Sequence, residues 1–224
     1  MVNLAKGEKK NLVQLAKDAG INPAALTELL FGLGWDMNKY DGQADADLDA
    51  LVFMLGEDGK VLTQNHFIFY GSELREQIGV DADGKPKFKY FDPEKSIIHM
   101  GDNRTGAGDG DDEQIIVDLT KVPANCTKIV FAVTIYAATS RGQHFGMVEN
   151  AYIRIDDKKT GTSLAKFDLS EDYSNIKALV TAELYRHNGE WKFNPVGAGY
   201  GNGFAALVQS YGITIDPDTI AQVN

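Results

Sequence analysis

Carboxylates crowd into two stretches of the chain. The first is Asp41-Gly42-Gln43-Ala44-Asp45-Ala46-Asp47-Leu48-Asp49-Ala50. The second is Gly101-Asp102-Asn103-Arg104-Thr105-Gly106-Ala107-Gly108-Asp109-Gly110-Asp111-Asp112-Glu113. Two carboxylates ~6 Å apart repel by about 0.7 kcal/mol in water and about 3 kcal/mol at an effective dielectric of about 20. A fold that gathers several must keep them solvated or offset them with cations. Calcium suits such a site because it takes six to eight oxygens from carboxylates, amides and backbone carbonyls. The glycines let carbonyls turn toward an ion. Spacing alone leaves two readings open, a calcium site and an ordinary solvated acidic loop. Asp49, at the head of a strand, also fits a residue that hydrogen-bonds a turn.

Familiar loop motifs fail on inspection. Asp45-x-Asp47-x-Asp49 matches an EF-hand opening, but Ala50 replaces the glycine at position six and Gly56 the glutamate at position twelve. Gly101-x4-Gly106 has the spacing of a phosphate-binding loop, but Ala107-Gly108 stands where Lys-Ser/Thr is required. Asp81-Ala82-Asp83-Gly84-Lys85 carries a lysine at the third ligand position and reads as a turn. The four histidines, His66, His99, His144 and His187, show no zinc-ligand spacing and read as strand or turn residues. No Gly-x-Ser-x-Gly is present. Nothing singles out a carboxylate pair for glycoside hydrolysis, and Trp35 and Trp191 read as core. The chain is therefore not expected to be an enzyme. The alternative is a calcium-dependent carbohydrate-binding sandwich or a weak hydrolase.

The elements that would position these loops are mainly strands. Leu29, Phe31, Leu33 and Trp35 alternate. Leu51-Val52-Phe53-Met54-Leu55 runs into an Asp58-Gly59 turn, and Phe67-Ile68-Phe69-Tyr70 follows. A small hairpin is expected around residues 87–91 and a short strand over 96–100. Further strands are expected over 114–119, 128–136, 145–155, 163–168, 178–187 and 191–196, with Pro195 marking the end of the last. Asn188-Gly189 signals a hairpin. Residues 12–19 fit a short helix or part of a hairpin, 197–203 a loop, and 204–211 a closing helix. Many short strands with turn signals at regular spacing predict an all-β, two-sheet sandwich with at most short helices near the termini. The expected division is an N-terminal extension (1–25) packed on or flanking the domain, the sandwich (26–215) and a C-terminal tail (216–224).

Composition narrows the function classes. The 224 residues are 43% hydrophobic, enough for a sizeable core. A net charge of −10 disfavours nucleic acid and anionic lipid and favours cations. The single cysteine, Cys126, cannot form an internal disulfide and reads as a small residue before a strand. The N-terminus lacks the apolar core of a signal peptide, and no run suits a membrane span. A soluble cytoplasmic protein is expected, without membrane insertion.

Several segments resemble the TerD family of tellurium-resistance and stress-response proteins. They include Gly32-Leu33-Gly34-Trp35-Asp36, Asp45-x-Asp47-Leu48-Asp49-Ala50, Phe67-Ile68-Phe69-Tyr70 and the long acidic segment 101–113. Asn150-Ala151-Tyr152-Ile153-Arg154 and residues 183–193, with Tyr185-Arg186-His187-Asn188-Gly189-Glu190-Trp191, continue the match in the family's order over about residues 26–213. The resemblance implies a two-sheet sandwich binding calcium, commonly two ions, at the acidic loops. It implies a role in tellurite resistance and wider stress responses, and no established enzymatic activity comes with it. It also implies association with other tellurium-resistance proteins, some at the inner membrane face. The ligands it carries over are Asp45, Asp47, Asp49, Asp102, Asn103, Asp109, Asp111, Asp112 and Glu113, with Gly108 or Gly110 as carbonyl donors and Asp36 as a weaker candidate. The chain departs from the pattern in its longer opening segment 11–25 and its longer stretch 72–95.

Overall fold

The computed structural model describes residues 1–36, 46–81, 83–101, 110–169 and 173–215. Among these the chain forms fourteen strands and three short α-helices. β1 (Val2–Asn3), β2 (Lys10–Asn11) and α1 (Leu12–Asp18) open it. β3 (Glu28–Asp36), β4 (Leu48–Leu55), β5 (Phe67–Ile68), β6 (Arg75–Val80) and β7 (Pro86–Phe91) follow. Then come β8 (Ile97–His99), β9 (Glu113–Asp118), β10 (Lys128–Ile135) and α2 (Ala138–Arg141). β11 (Glu149–Asp157), β12 (Ser163–Asp168), β13 (Ala178–His187), β14 (Glu190–Tyr200) and α3 (Gly203–Ser210) close the described fold.

The strands form two sheets, as the alternating pattern predicts. The eight-stranded sheet runs β1-β12-β11-β3-β9-β8-β7-β6, and the six-stranded sheet β2-β14-β13-β10-β4-β5. A core lies between them, where Phe31 of β3 stacks on Phe131 of β10 with ring centroids 4.0 Å apart. A second apolar cluster lies on the other face of the six-stranded sheet, under α3. This explains why all eight residues of β4 are buried. Ala50, Val52 and Met54 face the inter-sheet core, while Leu51, Phe53 and Leu55 face Phe204, Leu207 and Val208. A strand covered on both sides reads as a continuous apolar run rather than an alternation.

Several local expectations change. Residues 12–18 resolve as a helix: the Asn11 side chain accepts the Val13 N–H at 2.7 Å, and Leu12, Leu15 and Ala16 bury one face. In the opening segment β1 pairs with β12 and β2 with β14, so each sheet gains an edge strand from it. The strand expected from Phe145 begins instead at Glu149. Phe145–Met147 is a 3-10 turn, and Asn150, at φ 51°, shifts the register against β3. Pro195 does not end its strand. It pairs with Ala182 beside a register shift, a place where a missing N–H is tolerated, and β14 continues to Tyr200. Of Phe67-Ile68-Phe69-Tyr70 only the first two residues are strand. α2 is a helix in mid-chain, where none was expected. Asn188 and Gly189 take φ 53° and 79°, as a two-residue hairpin with the right twist demands.

Candidate metal centre

Neighbouring strands of the sandwich are mostly antiparallel, so the end of β3 lies beside the starts of β9 and β11. β4 starts at the same end of the molecule, because side chains from the eight-stranded sheet reach it there. β9 turns Glu113, Ile115 and Val117 inward, and Glu113 is 2% exposed. Its Oε2 accepts the N–H of Ala50 in β4 at 2.6 Å. His99, 1% exposed, lies next to it, with Nε2 3.1 Å from the Ala50 carbonyl and 3.6 Å from Glu113 Oε2. Nδ1 of His99 accepts the N–H of Gly101 at 3.1 Å. Nδ1 as acceptor fixes the tautomer: the proton is on Nε2, which donates to Ala50. Burial pushes the His99 pKa down to about 4, so the ring is neutral at neutral pH.

Asp49 directly precedes Ala50, and Asp47 lies two residues before Asp49. The Asp47 carbonyl accepts the Tyr136 N–H at 2.8 Å, and Asp49, 5% exposed, stands opposite Thr134 of β10. Strand alternation puts Asp49 on the Leu51 face of β4, away from Glu113.

Asp111 lies on the outer face of the eight-stranded sheet. Its Oδ1 accepts from Arg154 Nε at 2.7 Å and from the Tyr152 hydroxyl at 3.3 Å. Its Oδ2 accepts from Arg154 Nη2 at 2.6 Å and from Gln114 Nε2 at 3.1 Å. A carboxylate has about four acceptor directions, and these contacts use all of them. Two glycines of β3 make the room. A Cβ on Gly32 would fall 2.2 Å from Asp111 Oδ2, and one on Gly34 would fall 2.5 Å from the Tyr152 ring. The hydrogen bonds to Asp111 hold the Arg154 guanidinium above its usual range, and burial and then Asp111 push the Tyr152 hydroxyl up. Arg154 also pairs with Asp156.

Asp112 turns back onto β3. Its N–H donates to the Leu33 carbonyl at 2.8 Å, and its Oδ2 accepts the Trp35 N–H at 3.0 Å. Burial pushes its carboxyl above the ordinary range, the Trp35 amide opposes this, and the charges of Asp111 and Asp36 push it up further. Asp36 accepts from Asn150 Nδ2. Gly110 takes φ 109°, a conformation that favours glycine.

Asp47, Asp49, Gly110, Asp111, Asp112 and Glu113 therefore share one end of the sandwich but face different ways. Among the described residues no three His, Cys, Asp or Glu side chains converge as an ion cage. Asp45, Asp102, Asn103, Gly108 and Asp109 lie outside the described residues. The donor chemistry fits a hard cation: carboxylates gather from three strands, and both nitrogens of His99 are engaged. The Cys126 thiol is buried, and burial pushes its pKa up to about 11, which keeps it protonated and inert.

Sequence reasoning assigned no role to His99, Arg154 or the Gly32-x-Gly34 pair. Each left a signal. A glycine inside a strand marks close approach by another group. A histidine on the inward face of an apolar strand marks a buried polar contact.

Comparison with known proteins gives a consistent picture. The TerD domain family model matches residues 1–211. General stress protein 16U of Bacillus subtilis (strain 168) is 44% identical over 214 residues, covering 96% of this chain and 98% of its own length. Tellurium resistance protein TerD of Serratia marcescens is 43% identical over 212 residues, covering 95% and 97% respectively. In fold, the chain is similar to the crystal structure of a homologue of telluride resistance protein (TerD) from Streptomyces coelicolor A3(2). That structure is 17% identical, with a TM-score of 0.60, covering 81% of this chain and 95% of its own.

Proposed function

The chain belongs to the TerD domain family, and from that premise we propose that it is a cytoplasmic calcium-binding stress-response protein acting through protein partners rather than by catalysis. The observation that carries this reading is electrostatic. Asp36, Asp111 and Asp112 are brought close enough at the end of β3 that the Asp112 carboxyl is pushed up by burial and by its two neighbours. A bound divalent cation would relieve that repulsion.

Asp47, Asp49, Asp112 and Glu113 would supply oxygens from the described frame. Asp45, Asp102, Asn103 and Asp109 would add theirs, with Gly108 or Gly110 as carbonyl donors, and two ions are the expected number. Asp111, with its acceptor directions filled, would act as the anchor that keeps the second loop on β3 and β11. The ion's contribution would be charge neutralisation and loop ordering, and the surface so ordered would meet partners. Other tellurium-resistance proteins, including ones at the inner membrane face, are the partners this reading names. The inert thiol argues against direct reduction of tellurite by this chain.

Two measurements test the proposal. Calorimetry on chelator-stripped protein should show saturable calcium binding between micromolar and millimolar concentrations. A pull-down with calcium should recover tellurium-resistance proteins that are lost in chelator. A flat titration removes the calcium reading, and identical captures in both conditions remove the calcium-ordered surface.

A further inference from the structure

We propose that His99 is a positioning residue that couples Asp47 and Asp49 to Gly101 and Glu113, the two ends of the second acidic segment, as one cation-responsive unit. The inference deepens the calcium reading and rests on it. Its basis is the pair of hydrogen bonds made by one buried ring. Nδ1 holds the N–H of Gly101, where the second acidic segment begins. Nε2–H holds the carbonyl of Ala50, the residue that follows Asp49. The N–H of Ala50 is held in turn by Glu113, where the second segment ends. One residue of β4 is thus gripped from both ends of the second loop, across the space between the sheets.

The surroundings fix this joint. His99 is 1% exposed, and the Tyr90 ring meets it edge-on at 6.0 Å and 88°. Gly101, at φ 109°, lies so close to β7 that a Cβ there would fall 2.7 Å from the Phe88 carbonyl. The start of the second loop is therefore set between β7 and the His99 ring. Asp47 and Asp49 ride on the same backbone as Ala50, so a shift at Gly101 or Glu113 is felt at Asp47 and Asp49 through the Ala50 peptide groups. An apolar side chain at position 99 would fill the space but hold neither Gly101 nor Ala50.

Three variants separate this role from simple packing. His99→Gln keeps a donor directed at Ala50, His99→Asn keeps an acceptor near Gly101, and His99→Leu keeps neither. Each is measured for calcium affinity by calorimetry, for melting temperature, and for amide hydrogen exchange over residues 46–51 and 110–114 without metal. His99→Leu should weaken calcium binding about 10- to 100-fold, the range seen when groups that orient metal ligands are removed. Exchange should accelerate in both segments together, and His99→Gln should recover most of the affinity. A lower melting temperature with unchanged affinity, or acceleration in one segment only, would overturn the proposal. If His99→Leu does not fold, His99→Gln and His99→Asn decide by the same criteria. If the wild-type protein binds no calcium, the calcium reading fails by itself. The exchange experiment then judges the joint alone: acceleration in step supports it, and acceleration on one side removes it.

Discussion

Asp111 and Arg154 show how much of the acidic end rests on single side chains. The Asp111 side chain is fully buried against a guanidinium that is 25% exposed. Removing one partner of such a pair leaves an uncompensated charge, at a typical cost of about 3 kcal/mol or more. Arg154→Leu should therefore lower stability by roughly that amount in a denaturant titration, with and without calcium. A loss confined to the calcium-loaded protein would contradict the anchoring role. Asp112 predicts the opposite behaviour. Its folded-state pKa is raised, so its favourable contribution is present at low pH and fades as pH rises through that value. At neutral pH its charge destabilises the metal-free fold. Asp112→Asn should raise the metal-free unfolding free energy slightly, by less than about 1 kcal/mol because the group is partly solvated, while weakening calcium binding. His99 has the reverse sign. Its pKa of about 4 lies below the unfolded value, so metal-free stability falls as pH drops from about 6.5 to about 4, by up to roughly 3 kcal/mol. His99→Gln should flatten that slope, and an unchanged slope would assign the acid sensitivity elsewhere. These roles were hard to see in the chain itself. Acidic residues announce themselves by density, but a histidine bridging two sheets depends on contacts 49 positions apart in sequence.

Strands were legible where one or two faces are covered by the fold. Alternation in β3 and the continuous apolar runs of β4 and β10 mark their places directly. Boundaries were missed where tertiary hydrogen bonds override local signals. Pro195 continues a strand because it falls beside a register shift, and Phe145 leaves one because its N–H is taken by the Ile176 carbonyl. The apolar face of α3 was readable, but the second core beneath it was not, since that core needs β4, β10 and β13 side by side. Leu207, fully buried there, tests its weight. Leu207→Ala should cost about 2–4 kcal/mol in denaturant unfolding. Ile78→Ala, on the exposed strand β6, should cost under about 0.5 kcal/mol. Similar losses at both sites would mean that α3 contributes no true core.

At the scale of the molecule, the sandwich brings Asp47 and Asp49 to the same end as Asp111, Asp112 and Glu113, in a chain of net charge −10. No helix among the described residues is long and apolar enough to cross a membrane. Family membership accounts for the fold and for the stress and tellurium context of its relatives. The proposal that goes beyond that, argued from the gathered carboxylates and the joint at Ala50, is that calcium neutralises the acidic end. The most direct test is a calcium titration of chelator-stripped protein followed by calorimetry and thermal melting. The account predicts saturable binding and a melting temperature that climbs with calcium, equivalent to about 2.7 kcal/mol at a hundredfold excess over Kd for each independent ion. A flat titration to millimolar calcium, with an unmoved melting temperature, would contradict it.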